Sequence, residues 1–351
     1  MTEGKRTATD GLIERLERGP VICAEGYLFE LERRGYLQAG AFVPEVVLEH
    51  PELVAQLHRE FVHAGSDVVE AFTYYAHKEK LRLLGKEDLL APINRQALAI
   101  AAEVAAEGDS LLAGNICNTN VFDEDATARD AVRAMFEEQV GWAQEAGVDF
   151  IIGETFSWGE EALLATEVIK QTGLPAVITY AIHRQPATRE GWSPAEACKR
   201  LEDAGADVVG LNCTRGPRTM LPLLGAIRDA VDVPVAALPV PYRTHEAEPS
   251  FQSLTDEHYS DFPAGRPFPT ALDPFTCNRY EIADFARAAH DLGVSYLGVC
   301  CGAAPHHIRA MAEALGRRPP ASRYSADMSK HAYLGTDPSL RESNREYAEE
   351  L

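Results

Sequence analysis

Three cysteines that end apolar segments are the residues of this chain best suited to chemistry. Cys300 and Cys301 are adjacent, are flanked by glycines and follow the apolar run 294–297. Pro305 marks a helix start just beyond them, so both thiols are predicted to face a helix N-terminus, whose partial positive charge lowers a thiol pKa. Cys213 has a similar setting, because it ends another apolar run in the sequence Gly-Leu-Asn-Cys.

Three thiolates at strand ends suit a tetrahedral zinc ion whose fourth position stays open. An incoming thiol that binds there loses its proton and becomes a nucleophile at neutral pH. Three anionic ligands make zinc a poor Lewis acid for water but keep a bound thiolate electron-rich. We therefore predict zinc-dependent alkyl transfer to sulfur; the alternatives are a structural zinc, a redox pair and small buried residues at strand ends.

The composition limits the class of protein. The chain has 351 residues and a formal net charge of −21, which argues against binding nucleic acid or an anionic membrane. No stretch approaches the roughly 20 apolar residues of a membrane span, and the polar N-terminus does not resemble a signal peptide. Seven cysteines, an odd number, indicate a reducing compartment, so we expect a cytoplasmic protein. Four of them lack a partner at ligand spacing: Cys198, predicted to lie in the core, and Cys23, Cys117 and Cys277, predicted to line the barrel.

Apolar strands alternate with amphipathic helices along the chain, which predicts an α/β protein with the (β/α)8 TIM-barrel fold. Several helix-to-strand turns repeat the phrase Ala-Gly-x-Asp. A doubly wound open sheet is the alternative, but no glycine-rich phosphate turn follows the first strand. The predicted strands span 21–24, 67–72, 110–114, 149–153, 175–180, 207–211, 234–238 and 294–298. Helices are predicted at 51–64, 93–106, 131–146, 160–172 and 194–204.

Two regions depart from this alternation. Residues 239–274 have no clear periodicity and are predicted to form a long, functional loop after strand 7. Residues 317–351 are polar and end in a helix-like segment from 342. We expect residues 1–316 to form the barrel and 317–351 to form a C-terminal extension that packs on the barrel or on a partner subunit.

The cysteine motifs Gly-Leu-Asn-Cys and Gly-Val-Cys-Cys-Gly resemble the zinc signature of the homocysteine S-methyltransferase family, and the resemblance to its betaine–homocysteine branch covers roughly residues 10–350. It implies a (β/α)8 barrel, zinc, L-homocysteine as methyl acceptor, a methylated onium donor, and methionine as product. The other matching segments are Leu-Glu-Arg-Arg-Gly-Tyr at 31–36, Glu-His-Pro-Glu at 49–52, Gln-Leu-His-Arg-Glu-Phe at 56–61, Ala-Phe-Thr-Tyr-Tyr-Ala at 71–76, His-Ile-Arg-Ala at 307–310 and Pro-Pro-Ala-Ser at 319–322.

The resemblance assigns roles to residues. Tyr75 matches a tyrosine that lies by the donor site and can occupy the fourth zinc position in the absence of substrate; the alternative is an ordinary aromatic at the barrel mouth. Glu154 matches the carboxylate that holds the homocysteine ammonium; the alternative is a helix N-cap. Gly26 and Asn212 lie in matching segments and are predicted to bind substrate. The implied zinc ligands are Cys213, Cys300 and Cys301.

The chain also departs from the family pattern. Glu25 stands one position beyond the family's aspartate near the homocysteine amine, so it reaches that amine by another path or faces a differently charged donor. Phe42 and Thr155 replace a tryptophan and a tyrosine of the betaine cage, and Trp158 lies nearby as a further cage member. Each aromatic face contributes about 0.5–2 kcal/mol to the binding of a methylated ammonium. Because two cage members are replaced, we expect a reshaped and larger donor pocket.

The expected reaction is methyl transfer from a quaternary ammonium donor of the betaine type to the thiolate of L-homocysteine. A bulkier amino-acid betaine (proline betaine, trimethylhistidine) or a sulfonium (S-methylmethionine, dimethylsulfoniopropionate) is the alternative donor. A non-catalytic onium-binding or thiol-sensing barrel is the alternative of a different class. The family's tetramers assemble through a longer C-terminal arm, so a homodimer or a monomer is expected here.

Overall fold

Eight short apolar strands close into a single parallel barrel in the computed structural model, which describes residues 10–123, 125–259 and 265–350. Each strand pairs with the next along the chain, and β1 pairs with β8. The predicted TIM barrel is therefore confirmed. The strands are β1 (Val21–Ala24), β2 (Val68–Glu70), β3 (Leu111–Cys117), β4 (Phe150–Phe156), β5 (Ala176–Tyr180), β6 (Val208–Asn212), β7 (Val235–Leu238) and β8 (Val294–Val299).

One long helix follows each strand and covers the outside of the barrel, so the apolar strands are buried on both faces. Shorter helices precede β1, fill the connections on either side of β2 and lie in the C-terminal extension. The helices are α1 (Leu12–Arg18), α2 (Tyr27–Arg33), α3 (Val46–Glu49), α4 (Pro51–Ala64), α5 (Lys78–Leu84), α6 (Leu90–Ala105), α7 (Ala126–Glu145), α8 (Gly159–Gln171), α9 (Pro194–Asp203), α10 (Pro217–Ala230), α11 (Arg279–Asp291), α12 (Pro305–Ala314) and α13 (Glu342–Ala348).

The repeated Ala-Gly-x-Asp turn closes the amino-terminal end of the barrel. Gly65 ends α4 at a φ of 116°, a left-handed conformation that favours glycine. The aspartate two residues later, Asp67, accepts the backbone N–H of Ile22, and Asp149 and Asp207 accept equivalent bonds at 2.8 Å. These aspartates satisfy the first backbone groups of the strands, so the other end of the barrel is free to carry the functional site.

Two strands run further than predicted. β3 continues to Cys117 and β4 to Phe156, beyond the predicted ends at 114 and 153. The extra residues include Asn115 and Glu154. Because these residues are polar, they do not continue the apolar runs from which the strand ends were predicted. Both side chains point into the barrel, where Asn115 Nδ2 donates to Glu154 Oε1 at 2.7 Å, so the polar residues are accommodated inside the sheet.

The segment that follows β7 is irregular, as predicted, although residues 260–264 lie outside the described part. Short 3-10 turns occur at Phe251–Ser253, Glu257–Tyr259 and Asp273–Phe275. At the C-terminal side, Arg317 forms an ion pair with Asp67 at 2.6 Å, and the 3-10 segment Pro320–Tyr324 packs near α4. No helix in the described ranges is long and apolar enough to span a membrane. Residues 1–9 of the polar N-terminal segment, which spans residues 1–10, lie outside those ranges.

Candidate metal centre and active site

The three predicted cysteines come together at the carboxyl-terminal end of the barrel. The Sγ atoms of Cys213, Cys300 and Cys301 all lie within 4.8 Å of one another, and we call these residues the thiol cluster. The end of β7 lies between them: the backbone N–H of Cys213 donates to Leu238 at 2.9 Å, and that of Cys300 donates to Pro239 at 2.9 Å. The barrel therefore brings two distant sequence motifs into one site.

Hydrogen bonding inside the thiol cluster makes one of the three thiols more acidic than the other two. Bonds from Cys300 and Cys301 hold the pKa of the Cys213 thiol well below its usual range. Burial raises the pKa of Cys300, and the hydrogen bond with Cys213 raises that of Cys301. The prediction that the pKa of both adjacent thiols is lowered is wrong in direction, because burial and hydrogen bonding with Cys213 raise them.

The donor set of the thiol cluster fits an open zinc site. Three thiols in one place supply soft, anionic ligands, which zinc accepts, and a divalent cation would stabilise all three as thiolates. Within the described part of the chain, no fourth histidine, cysteine or carboxylate belongs to this group of potential ligands. Structural zinc sites close with four protein ligands, whereas three leave a position for a substrate.

A pair of carboxylates lies beside the thiol cluster. The pairing of β4 with β5 shifts register between Gly153 and Phe156, and this irregularity includes Glu154. One oxygen each of Glu154 and Glu25 and the Sγ atom of Cys300 lie within 4.8 Å of one another. Both glutamates are buried, so they can recognise a cation that binds next to the thiols.

Asn212 connects these carboxylates. Its Nδ2 donates to Glu154 Oε2 at 2.6 Å and lies 3.4 Å from Glu25 Oε2, while its Oδ1 accepts the backbone N–H of Thr155 at 2.9 Å. The Thr155 hydroxyl also donates to Glu154 Oε2, at 3.0 Å. Because Asn212 immediately precedes Cys213, one strand end positions both a thiol and the carboxylates.

Two further polar residues, Glu70 and Asn115, belong to this site although they were not among the predicted site residues. Asn115 donates to both Glu70 and Glu154 and so joins β2, β3 and β4. The Thr73 hydroxyl donates to the Asn115 carbonyl at 2.7 Å, which fixes the strand end. A glutamate and an asparagine within otherwise apolar strand segments were the available signal, because a buried polar residue needs a partner or a function.

A small cavity of about 20 Å³ lies between these side chains and the thiol cluster. Burial raises the pKa of Glu25 and Glu70 well above the usual range and that of Glu154 to about 7. Three polar atoms at this cavity, Glu25 Oε1, Asn115 Oδ1 and the Tyr27 hydroxyl, have no hydrogen-bond partner among the described residues. Excess acidity and unpaired acceptors next to the thiols favour a cationic head group such as an ammonium.

On the outer side of the thiol cluster lies a cavity of about 180 Å³, which we call the inner cavity. Phe29 is central to its aromatic wall: its ring lies 5.7 Å from Phe42, 5.9 Å from Phe251 and 6.4 Å from Phe268. Tyr75 lines the same cavity, together with Cys213 and Cys301. Six aromatic rings, including that of Tyr74, line this cavity beside two thiols, a surface of the kind that suits methylated cations.

Backbone strain is concentrated at the inner cavity. In the described part of the chain, every non-glycine residue with a positive φ lines this cavity. Such conformations cost of order 1–3 kcal/mol each and persist where the surrounding structure holds them, often at functional sites. The cavity is therefore a built feature of the fold. These residues are Phe42, Tyr75, Asn120, Thr155, Cys213 and Thr214.

Comparison with known proteins identifies the family. A sequence model described as homocysteine S-methyltransferase matches residues 22–315. The chain is 37% identical to betaine–homocysteine S-methyltransferase 1 of Xenopus tropicalis, over 98% of this chain and 86% of that protein. It is 36% identical to an S-methylmethionine–homocysteine S-methyltransferase of Pongo abelii, over 99% of this chain and 94% of that protein. The chain belongs to the homocysteine S-methyltransferase family.

A solved structure of similar fold is the homocysteine methyltransferase MmuM of Escherichia coli in its metallated form. It superposes with a TM-score of 0.68 at 17% identity, covering 87% of this chain and 99% of that one. This likeness concerns the fold and agrees with the closed eight-stranded barrel. Membership of the homocysteine S-methyltransferase family makes the chain an enzyme, a methyltransferase.

Two of the predicted substrate-binding residues of this homocysteine S-methyltransferase, Gly26 and Trp158, line neither the small acidic cavity nor the inner cavity. Trp158 lines a neighbouring, larger cavity, where its ring lies 5.8 Å from Phe122 and beneath Arg189. Gly26 packs against Ala303, since a Cβ atom at Gly26 would lie 2.5 Å from the Ala303 Cβ atom. Gly26 thus allows the β1 loop to approach the loop of the thiol cluster.

The other cysteines of this family member are separate from the thiol cluster. Cys23 lies in β1, and Cys117 Sγ accepts the backbone N–H of Tyr75 at 3.3 Å. Cys198 is buried on α9, as predicted. Cys277 does not line the barrel: it lines an external groove formed by residues of α10 and α11, because the chain has already left the barrel mouth before α11 begins.

Proposed function

We propose that this methyltransferase transfers a methyl group from a quaternary ammonium donor of the betaine type to the thiolate of L-homocysteine, with zinc in the thiol cluster. One observation carries the proposal: the thiol cluster lies between a buried acidic pocket and an aromatic cavity. An amino acid with a thiol and a methylated cation can therefore meet at the same three sulfurs. Methionine and a demethylated amine are the products.

The acidic pocket supports homocysteine as the acceptor. Glu154 and Glu25 would hold its ammonium group, with Asn212 and Asn115 fixing the orientation of Glu154. This assigns Glu25 to the homocysteine amine rather than to the donor, because its Oε2 atom faces Asn212 and Glu154. A head group held there directs the thiol of the same molecule towards Cys300, which lies within 4.8 Å of both carboxylates.

Cys213, Cys300 and Cys301 would hold the zinc. When bound, zinc stabilises a substrate thiol as a thiolate at neutral pH. Tyr75 lines the inner cavity next to these ligands, and burial raises the pKa of its hydroxyl to about 12. This position supports Tyr75 as the residue that would occupy the fourth zinc position in the absence of homocysteine.

The aromatic wall of the inner cavity supports an onium donor. Rings of Phe42, Phe251 and Tyr75 would surround the methylated cation and direct one methyl group at the homocysteine sulfur. The sulfur–carbon bond forms as the carbon–nitrogen bond breaks, and the nitrogen keeps the bonding electron pair. Because the donor loses its positive charge in the transition state, alignment and thiolate activation contribute more to catalysis than tight binding by the cage.

Transfer of a labelled methyl group tests this proposal. Zinc-loaded protein is incubated with L-homocysteine and deuterated donors, and the mass of the methionine product is measured. The panel contains glycine betaine, proline betaine, trimethylhistidine, S-methylmethionine and dimethylsulfoniopropionate. We expect deuterated methionine from a quaternary ammonium donor and none from metal-free protein. If only the sulfonium donors gave methionine, the donor would be a sulfonium and not a quaternary ammonium. If no donor gave methionine, the proposed function would be contradicted.

Shortening the aromatic wall should weaken donor binding selectively. Phe251→Leu removes one ring of the inner cavity, so we expect the donor KM to rise roughly threefold to thirtyfold, from the ~0.5–2 kcal/mol of one aromatic contact. The homocysteine KM should stay within about twofold, because the acidic pocket is unchanged. Tyr280→Leu, at a ring that is 66% exposed on α11, is the control. An unchanged donor KM in Phe251→Leu would exclude this ring from the cage.

A further inference from the structure

A second, larger cavity adjoins the inner cavity and is open to solvent. This outer cavity has a volume of about 700 Å³ and shares four lining residues with the inner one. Ser157 and His183 lie at this boundary, where the Ser157 hydroxyl and His183 Nε2 are 3.1 Å apart. The two cavities therefore meet at this pair of side chains. The shared residues are Asn118, Asn120, Ser157 and His183.

The wall of the outer cavity is held in place by buried hydrogen bonds. Arg215, which is 6% exposed, donates to the carbonyl oxygens of Ile182 at 3.0 Å and His183 at 2.6 Å, in the loop after β5. The Glu190 carboxylate accepts the first two backbone N–H groups of α8 at 2.8 and 2.9 Å. Because Arg215 follows Cys213 by two residues, this loop has a fixed position relative to the thiol cluster.

The outer cavity presents positive charge and an aromatic face. Arg184 and Arg189 line it, and neither guanidinium lies within ion-pair distance of a described carboxylate, although the charge of Arg189 favours the ionised form of Glu161. Arg189 lies over the Trp158 ring at 5.4 Å. The acidic residue on this wall is Glu161, which is 1% exposed and accepts two bonds from Thr119, at 2.8 and 2.6 Å. This wall therefore favours an anionic ligand, although the chain as a whole carries a strongly negative net charge.

We propose that the outer cavity binds the distal, anionic end of the methyl donor. The preferred donor is then a betaine whose carboxylate lies several bonds away from the methylated nitrogen, longer than glycine betaine. Its cationic end occupies the aromatic inner cavity, its chain passes Ser157 and His183, and its carboxylate meets Arg184 and Arg189. This inference rests on the proposed function and specifies its donor class.

Three donors separate chain length from charge: glycine betaine, γ-butyrobetaine and the primary amide of γ-butyrobetaine. Methionine formation is measured with each, using the zinc-loaded full chain and homocysteine. We expect kcat/KM for γ-butyrobetaine to exceed that for glycine betaine by about tenfold or more, as one charge-assisted contact provides. The amide should lose most of this advantage, since its length is retained and its charge is removed.

The variant Arg184→Gln/Arg189→Gln tests the residues. It should lower kcat/KM for γ-butyrobetaine about tenfold more than for glycine betaine. Arg323→Gln is the matched control, because Arg323 lies over the Tyr324 ring at 5.5 Å in the C-terminal extension. A preference for glycine betaine, or an equal effect of the variant on both donors, would overturn the inference while leaving methyl transfer intact. No methionine from any donor with the wild-type protein would instead overturn the proposed function, and the inference with it.

Discussion

Cys213→Ser is expected to abolish zinc retention and methionine formation together. A serine hydroxyl is a weak ligand for zinc, and removal of one of three thiols leaves a two-coordinate site. The loss of several kcal/mol of metal assistance corresponds to at least about a thousandfold in turnover. Zinc content by mass spectrometry of the metal and methionine formation by chromatography measure the two effects on the same sample.

Cys198→Ser is the matched control for this experiment. Its thiol is also fully buried, and its Sγ atom lies 4.0 Å from the Gly210 carbonyl, away from the thiol cluster. We expect it to retain one zinc per chain and near wild-type turnover. If Cys213→Ser instead kept stoichiometric zinc and full activity, the assignment of the metal centre would be wrong.

Glu154→Gln should weaken homocysteine binding and leave the metal in place. The substitution keeps the shape of the side chain but removes the carboxyl group that would pair with the homocysteine ammonium. Removal of one partner of a buried charged pair costs about 2–4 kcal/mol, so the homocysteine KM should rise roughly thirtyfold to a thousandfold. Initial rates at varied homocysteine, with zinc content measured in parallel, test this expectation.

Glu202→Gln serves as the control for Glu154. The Glu202 carboxylate is hydrogen-bonded too, by the backbone N–H groups of Asp232 at 2.7 Å and Val233 at 3.0 Å, but it lies outside the active site. The homocysteine KM of the Glu202→Gln variant should match that of the wild type. If Glu154→Gln raised only the donor KM, Glu154 would bind the donor and not homocysteine. If the variant lost its zinc, the role of Glu154 would be structural.

The fold and the three thiols could be predicted because both depend on local patterns. Apolar strands that alternate with amphipathic helices leave few topologies, and a closed barrel brings strand ends such as those before Cys213 and Cys300 to one face. Glu154 was selected through a family motif, since a single carboxylate at a strand end can equally cap the helix that follows. The same motif led to Asn212, whose bonds to Glu154 and Thr155 require the folded barrel.

The rest of the site depends on contacts between distant segments. Glu70 and Asn115 are 45 residues apart, and their pairing appears only when β2 and β3 are adjacent. Phe251 and Phe268 belong to a loop without periodicity, so the sequence does not indicate that their rings contact Phe29. Trp158 follows the strand of Glu154 but lies in the outer cavity, because the chain turns into α8 at Gly159.

X-ray absorption at the zinc edge, with and without homocysteine, tests whether the substrate thiol binds at the thiol cluster. We expect three sulfur ligands at about 2.3 Å and one oxygen or nitrogen ligand in the free enzyme. Addition of L-homocysteine should replace the lighter ligand with a fourth sulfur at about the same distance. A coordination sphere that remains at three sulfurs in saturating homocysteine would contradict the claim that the substrate thiol is activated at Cys213, Cys300 and Cys301.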